Sequence, residues 1–117
     1  MENTRQQKVA RQIQKDLSEI LSREAASLLR GAMVTVTSVR MSPDLEYAKA
    51  YLSIFPFEKH EAVMASLEAN LWFIRKTLGG KVRNQLRVVP EVAFLLDDSL
   101  EYIDKIDELL KEDERNG

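Results

Sequence analysis

The chain has 117 residues, with 17 Lys and Arg, 19 Asp and Glu, one His and no Cys. That length predicts one domain with a real core, burying roughly two-thirds of the unfolded surface, and the missing cysteines exclude a disulfide framework and a thiolate metal site. The net charge of −2 hides an asymmetry: residues 1–90 carry 14 basic and 9 acidic side chains, and residues 91–117 carry 3 and 10.

A basic body with an acidic tail keeps a polyanionic partner in play, because distribution matters more than the sum. No apolar run approaches the roughly 20 residues that cross a bilayer. The start, MENTRQQ, is polar and has no signal-peptide core. A cytoplasmic protein with no membrane partner is the expectation.

Residues 4–29 read as a first helix. Thr4 and Gln7 have capping-box spacing. Val9, Ile13, Leu17, Ile20, Leu21 and Leu28 form its apolar stripe, and Gly31 is placed to stop it. Arg5, Lys8, Arg11 and Lys15 gather on another face. Such a cluster is more often a solvated face than a binding surface. It gains weight if it lies beside the basic stretch at 71–89.

Two strands follow. MVTVTSVRM (33–41) is β-branched and roughly alternating. YAKAYLSIF (47–55) alternates cleanly, with Ala48, Ala50, Leu52 and Ile54 on one face and Tyr47, Lys49, Tyr51 and Ser53 on the other. Ser42-Pro43-Asp44-Leu45 has turn chemistry between them. This predicts an antiparallel hairpin with one face on the core, ended by Pro56.

A helical pattern resumes near Glu58 and runs through Met64, Leu67, Leu71, Ile74, Leu78 and Val82. One straight helix over 58–86 would be some 40 Å long, longer than the roughly 30 Å span of such a domain. A kink is therefore expected, at Asn70 or at Gly79-Gly80. The apolar phase is unbroken across the glycines, which favours Asn70 and a helix running through Gly79 and Gly80.

Within this region, LWFIRKTLGGKVRNQLRVV (71–89) holds Arg75, Lys76, Lys81, Arg83 and Arg87 and no acidic residue. Ile74, Leu78 and Val82 step by four, and Trp72, Lys76 and Arg83 fall on the opposite face at about 100° per residue. Gly79 and Gly80 lie on or beside that face, where they would leave backbone bare. Cations meet phosphates, an aromatic stacks on a base, and absent side chains admit a ribose-phosphate chain. The competing reading is an ordinary amphipathic helix with a solvated face and Trp72 in the core. This stretch alone leaves both open.

Residues 88–96 read as a third strand with Pro90 near its start. Asp98 then caps a last helix, with Glu101 three later and an apolar stripe of Leu100, Ile103, Ile106 and Leu110. KEDERNG (111–117) reads as an acidic, frayed tail. Residues 1–110 are thus expected as one domain and 111–117 as its tail.

Catalysis finds little support. His60 is the one histidine and sits at a helix start, read as exposed. No Cys–His or Ser–His pair forms around it, and no phosphate loop occurs. Asp97 and Asp98 are adjacent carboxylates at a strand end, a position that usually serves a cap. No catalytic residue, metal site or cofactor is assigned.

The order α-β-β-α-kink-α-β, with a three-stranded mixed sheet and an added C-terminal helix, is that of a type II KH-like α+β domain, an RNA-binding fold. The GXXG loop of an ordinary KH domain is missing. Arg11-Gln12-Ile13, Leu17 to Leu21, Val34 to Phe55 and Phe73 to Leu100 resemble the ribosome-binding factor A family. The most specific pieces are Val39-Arg40-Met41-Ser42-Pro43-Asp44-Leu45 with Ala48, Phe73-Ile74-Arg75, Leu86-Arg87, and Val89-Pro90-Glu91 with Phe94 and Asp97. The resemblance implies a late-acting assembly factor of the small (30S) ribosomal subunit. Such a factor binds that subunit and its 16S rRNA, assists maturation of the rRNA 5′ end, and takes part in cold adaptation. It also implies no catalytic activity and no cofactor. One junction departs from the family: its Ala-x-Gly aligns with Asn70-Leu71-Trp72 here. Trp in place of Gly blocks close backbone approach and offers a stacking platform instead.

The reading is a monomeric, non-catalytic RNA-binding domain that docks on the immature small subunit. Arg75, Lys76, Lys81, Arg83 and Arg87 would neutralise phosphates, with Arg5, Lys8, Arg11 and Lys15 in support and Trp72 and Asn70 at the junction. The alternative is a protein-binding adaptor that uses the hairpin edge or the C-terminal helix, without direct RNA contact.

Overall fold

The computed structural model describes residues 3–97. The chain runs α1 (Thr4–Ser22), β1 (Met33–Met41), β2 (Tyr47–Phe55), α2 (His60–Ala69), α3 (Leu71–Val82) and β3 (Glu91–Leu96), with short 3-10 turns at Ala26–Leu29 and Phe57–Lys59. The sheet order is β1-β2-β3. β1 pairs antiparallel with β2, and β2 parallel with β3. This is the α+β arrangement with a mixed three-stranded sheet that the sequence predicts. The expected helix at 100–110 and the tail at 111–117 lie outside the described residues.

α1 begins one residue earlier than Thr4 and Gln7 suggest. Asn3 is the cap: its Oδ1 accepts from the Gln6 N–H at 2.8 Å, and Gln6 Oε1 accepts from the Asn3 N–H at 2.9 Å. Gln6 Nε2 also donates to the Met41 carbonyl at 3.1 Å, tying the start of the helix to the end of β1. Further along, Gln14 Nε2 donates to the carbonyls of Val36 and Thr37. Those carbonyls sit where β1 shifts register against β2, between Val36 and Ser38. A bulge interrupts the ladder and leaves backbone groups needing partners, and the glutamine supplies one. The same bulge explains why β1 alternates only roughly, whereas β2 alternates throughout.

α1 also stops well before residue 29. The chain leaves the helix after Ser22, Ala25 N–H bonds the Ile20 carbonyl at 2.7 Å, and Arg30 and Gly31 take φ of 54° and 79°. The departure brings both Ala25 and Leu29 into the core, and the left-handed pair at 30–31 turns the chain into β1.

The break between α2 and α3 falls on Asn70 (φ −118°, ψ 21°). Its side-chain Nδ2 donates to the Ser66 carbonyl at 2.8 Å, and its own carbonyl accepts from the N–H groups of Phe73 and Ile74. One residue thus satisfies the end of one helix and the start of the next. α3 continues through Gly79 and Gly80 to Val82. The helices lie over one face of the sheet. Ile13, Leu17, Ile20, Leu67, Ile74 and Leu78 are fully buried there against Ala48, Ala50 and Leu52 of the central strand. β3 starts at Glu91, not at Val88, because Pro90 has no N–H to give to a ladder. Among the described residues no helix is long and apolar enough to cross a membrane.

Candidate nucleic-acid interface

α3 has an inner side and an outer side. Ile74, Leu78 and Val82 are buried to the core, while Trp72, Arg75, Lys76 and Arg83 are exposed. Trp72 is 67% exposed, which removes it from the core. Its indole meets the Phe73 ring edge to face, with centroids 6.0 Å apart.

The segment after α3 folds back along this outer side. Arg75 holds it there: Nη2 donates to the Val89 carbonyl at 2.9 Å and Nε to the Pro90 carbonyl at 3.3 Å. Gly79 makes room for it, since a Cβ at Gly79 would meet Val89 Cγ2 at 3.0 Å. Gly79 is therefore a seat for Val89 rather than bare backbone awaiting a ribose. Gly80 is the open one, with nothing near its missing Cβ.

Together these contacts build a groove of about 620 Å³, lined by Trp72, Arg75, Lys76, Gly79, Arg87, Val88 and Val89. A second hollow of about 280 Å³ lies beyond the indole, between Leu71, Trp72, Arg75, Glu91 and Val92. Trp72 is a ridge between the two. Val88, 60% exposed, is the apolar lip opposite it. The groove cations Lys76 and Arg87 are exposed, as is Arg83 at the end of α3, and among the described residues these three form no ion pair.

Lys81 is placed differently. It is half-buried on the side toward α1, 3.5 Å from Glu19 and 3.7 Å from Glu24. Its charge is already countered within the fold. Asn70 is half-buried and serves the helix break through Ser66. Arg75 is exposed yet spends two donors on carbonyls. Of the sequence-assigned set at 70–87, Trp72, Lys76, Arg83 and Arg87 remain uncommitted.

The α1 set does come near. Arg5, Lys8, Arg11 and Lys15 are all exposed. Lys8 lines a hollow of about 280 Å³ with Val9, Gln12, Ile13, Val82, Gln85 and Leu86, so it borders the segment that carries Arg83. Arg11 and Lys15 follow Lys8 at i+3 and i+7, on the same stripe of the helix. The basic edge of α1 thus adjoins the end of α3, the condition under which its charges gain weight.

The remaining polar candidates serve the fold. Asp97 accepts from the Thr37 hydroxyl, and its N–H bonds the Leu52 carbonyl; Asp98 lies outside the described residues. His60 is half-buried rather than exposed, stacked on Phe57 at 4.2 Å with Nδ1 2.7 Å from the Phe57 carbonyl. In the hairpin turn the Ser42 hydroxyl and the Glu46 N–H hold the Asp44 carboxyl below its usual pKa. No group of three or more His, Asp or Glu is placed to hold a metal among the described residues.

Residues 5–110 match the family described as Ribosome-binding factor A. The chain is 42% identical over 110 residues to a Ribosome-binding factor A of Cytophaga hutchinsonii, covering 94% of this chain and 83% of that one. It is 43% identical over 111 residues to that of Flavobacterium psychrophilum, covering 94% and 85%. The crystal structure of ribosome-binding factor A from Thermus thermophilus shares the fold, with a TM-score of 0.66 at 23% identity over 78% of this chain and 94% of that one. A homology model of the Thermus factor fitted into a cryo-electron-microscopy map of a 30S complex aligns at TM-score 0.60 and 26% identity, over 75% and 90%. Fold, length and sequence agree, and the chain belongs to the ribosome-binding factor A family.

Proposed function

We propose that this chain binds the immature small ribosomal subunit through its 16S rRNA and assists late maturation of that rRNA, including its 5′ end, by binding without chemistry. The observation that carries this reading is the groove at Trp72, lined by Lys76 and Arg87, with Arg83 exposed at the end of α3 and none of the three in an ion pair among the described residues. An exposed indole beside uncompensated cations suits an RNA with unpaired bases. The fit of the Thermus relative into a 30S complex supports the choice of partner. The protein acts as a cytoplasmic monomer, with residues 1–110 as the binding domain and 111–117 as an acidic tail. A role in growth in the cold follows from the family resemblance.

Co-sedimentation with small subunits across a salt series tests this. Phosphate binding releases counterions, so affinity should fall steeply as salt rises. Salt-independent association would instead favour a protein-binding adaptor. That second reading has its own observation: Met33 and Phe55, paired across the hairpin, are 69% and 71% exposed.

A further inference from the structure

The helices cover one face of the sheet. The other face is open among the described residues, and it has a character of its own. Tyr47, Lys49 and Tyr51 of β2 point to it, as do Arg40 of β1 and Leu95 of β3, each alternating with a buried neighbour. Tyr47 is 52% and Leu95 38% exposed. Tyr51 stands opposite Leu95 in the register, and Arg40 stands opposite Lys49. Like charges directly across a strand pair repel. Neither cation forms an ion pair among the described residues. Among the described residues this face has no apolar cover, and the one carboxylate its strands present, Glu91, stands opposite Tyr47 and two positions along β3 from Ala93, the residue that faces Lys49.

β3 keeps its pairing with β2 as far as Asp97. Asp97 bonds the Leu52 carbonyl through its N–H, and its carboxylate reaches past β2 to the Thr37 hydroxyl at the bulge of β1. The next twenty residues, 98–117, hold eight Asp and Glu against three Lys and Arg. They also hold Leu100, Ile103, Ile106 and Leu110 at helical spacing. A helix of that length has little stability alone and depends on a surface for its apolar stripe. Eleven helical residues span about 16 Å. The four steps from Leu95 back to Glu91 span about 13 Å of strand. Length, polarity and charge match, and the tether makes the encounter intramolecular.

We propose that residues 98–110 lie across the outer face of the sheet, with their apolar stripe on Tyr47, Tyr51 and Leu95 and their carboxylates beside Arg40 and Lys49. This surface is distinct from the Trp72 groove and does not depend on what that groove binds. The chain has no cysteine, so Lys105→Cys in the full-length protein gives one site for a spin label. Lys105 lies about 200° from Ile103 on a helical wheel, off the stripe. The expected result is loss of amide signals at 47–51 and 91–95, with those at 72–87 retained. Reversing the charges with Arg40→Glu and Lys49→Glu should restore the lost signals while the spectrum of the core stays folded. Loss centred on 72–87, or no localised loss, overturns the proposal. So does a single-stranded oligouridylate that shifts amides at 47–51 while the label leaves them untouched, since RNA would then be the occupant.

Discussion

α3 carries two lysines in opposite circumstances. Lys81 faces α1, half-buried, between Glu19 at 3.5 Å and Glu24 at 3.7 Å. Lys76 stands beside Trp72 and Arg87 at the groove, exposed and without an ion pair among the described residues. The first charge is spent holding two helices together, and the second is left to the surroundings. A count of basic residues in 71–89 therefore overstates what a polyanion meets. The charge that attracts a partner is the charge remaining after intramolecular pairing.

The sharpest way to separate the sides of α3 is to damage its buried one. Leu78 is fully buried in the core. Leu78→Ala should cost about 2–5 kcal/mol of stability through lost transfer energy and a cavity. Thermal unfolding would register it as a large drop in Tm. On the outer side, Trp72→Ala should leave Tm nearly unchanged and weaken RNA binding by about 1–3 kcal/mol, the worth of stacking one base. A large loss of stability in that variant would mean the indole packs rather than stacks. Fluorescence quenching of the free protein provides a second check, because an indole 67% exposed should be open to a small quencher.

Charge removal then tests the two lysines directly. Lys76→Ala, Arg83→Ala and Arg87→Ala should each lower the slope of log affinity against log salt by about one. Lys81→Ala should change that slope little. Its cost should appear in stability, at about 0.2–1 kcal/mol for partly exposed pairs. Equal slopes for Lys76→Ala and Lys81→Ala would erase the distinction on which the interface rests.

What could be read beforehand depended on how local its cause was. The strands at 33–41 and 47–55 are legible because period two is written into the residues themselves. The break at Asn70 is legible because an unbroken helix would outgrow the domain. The end of α1 is not, since Leu28 keeps the helical phase while burial of Ala25 and Leu29 pulls the chain out of the helix. Arg75 counts as a phosphate ligand in sequence because nothing local shows that the carbonyls of Val89 and Pro90, fourteen and fifteen residues away, will claim its donors. The free side of α3 was legible in the phase of Trp72, Lys76 and Arg83. Its groove was not, because the opposite wall comes from 87–89.

The adjacent glycines give the finest test of that wall. Both lie in the interior of α3, where Ala is favoured over Gly by roughly 1 kcal/mol. Gly80 has open space where a Cβ would go. Gly80→Ala should therefore gain most of that preference, about 0.5–1 kcal/mol. At Gly79 the same methyl meets Val89 Cγ2 at 3.0 Å. Val89 is anchored through its carbonyl to Arg75 and is followed by the buried Pro90, so it has little room to withdraw. Gly79→Ala should fall short of Gly80→Ala in Tm, and it should shift the amide signals of residues 87–89 where Gly80→Ala does not. RNA affinity should follow the same split, reduced by the substitution that displaces the groove wall and unchanged by the one beside it. Identical melting temperatures and undisturbed signals at 87–89 would show that the segment does not rest on α3 through Gly79.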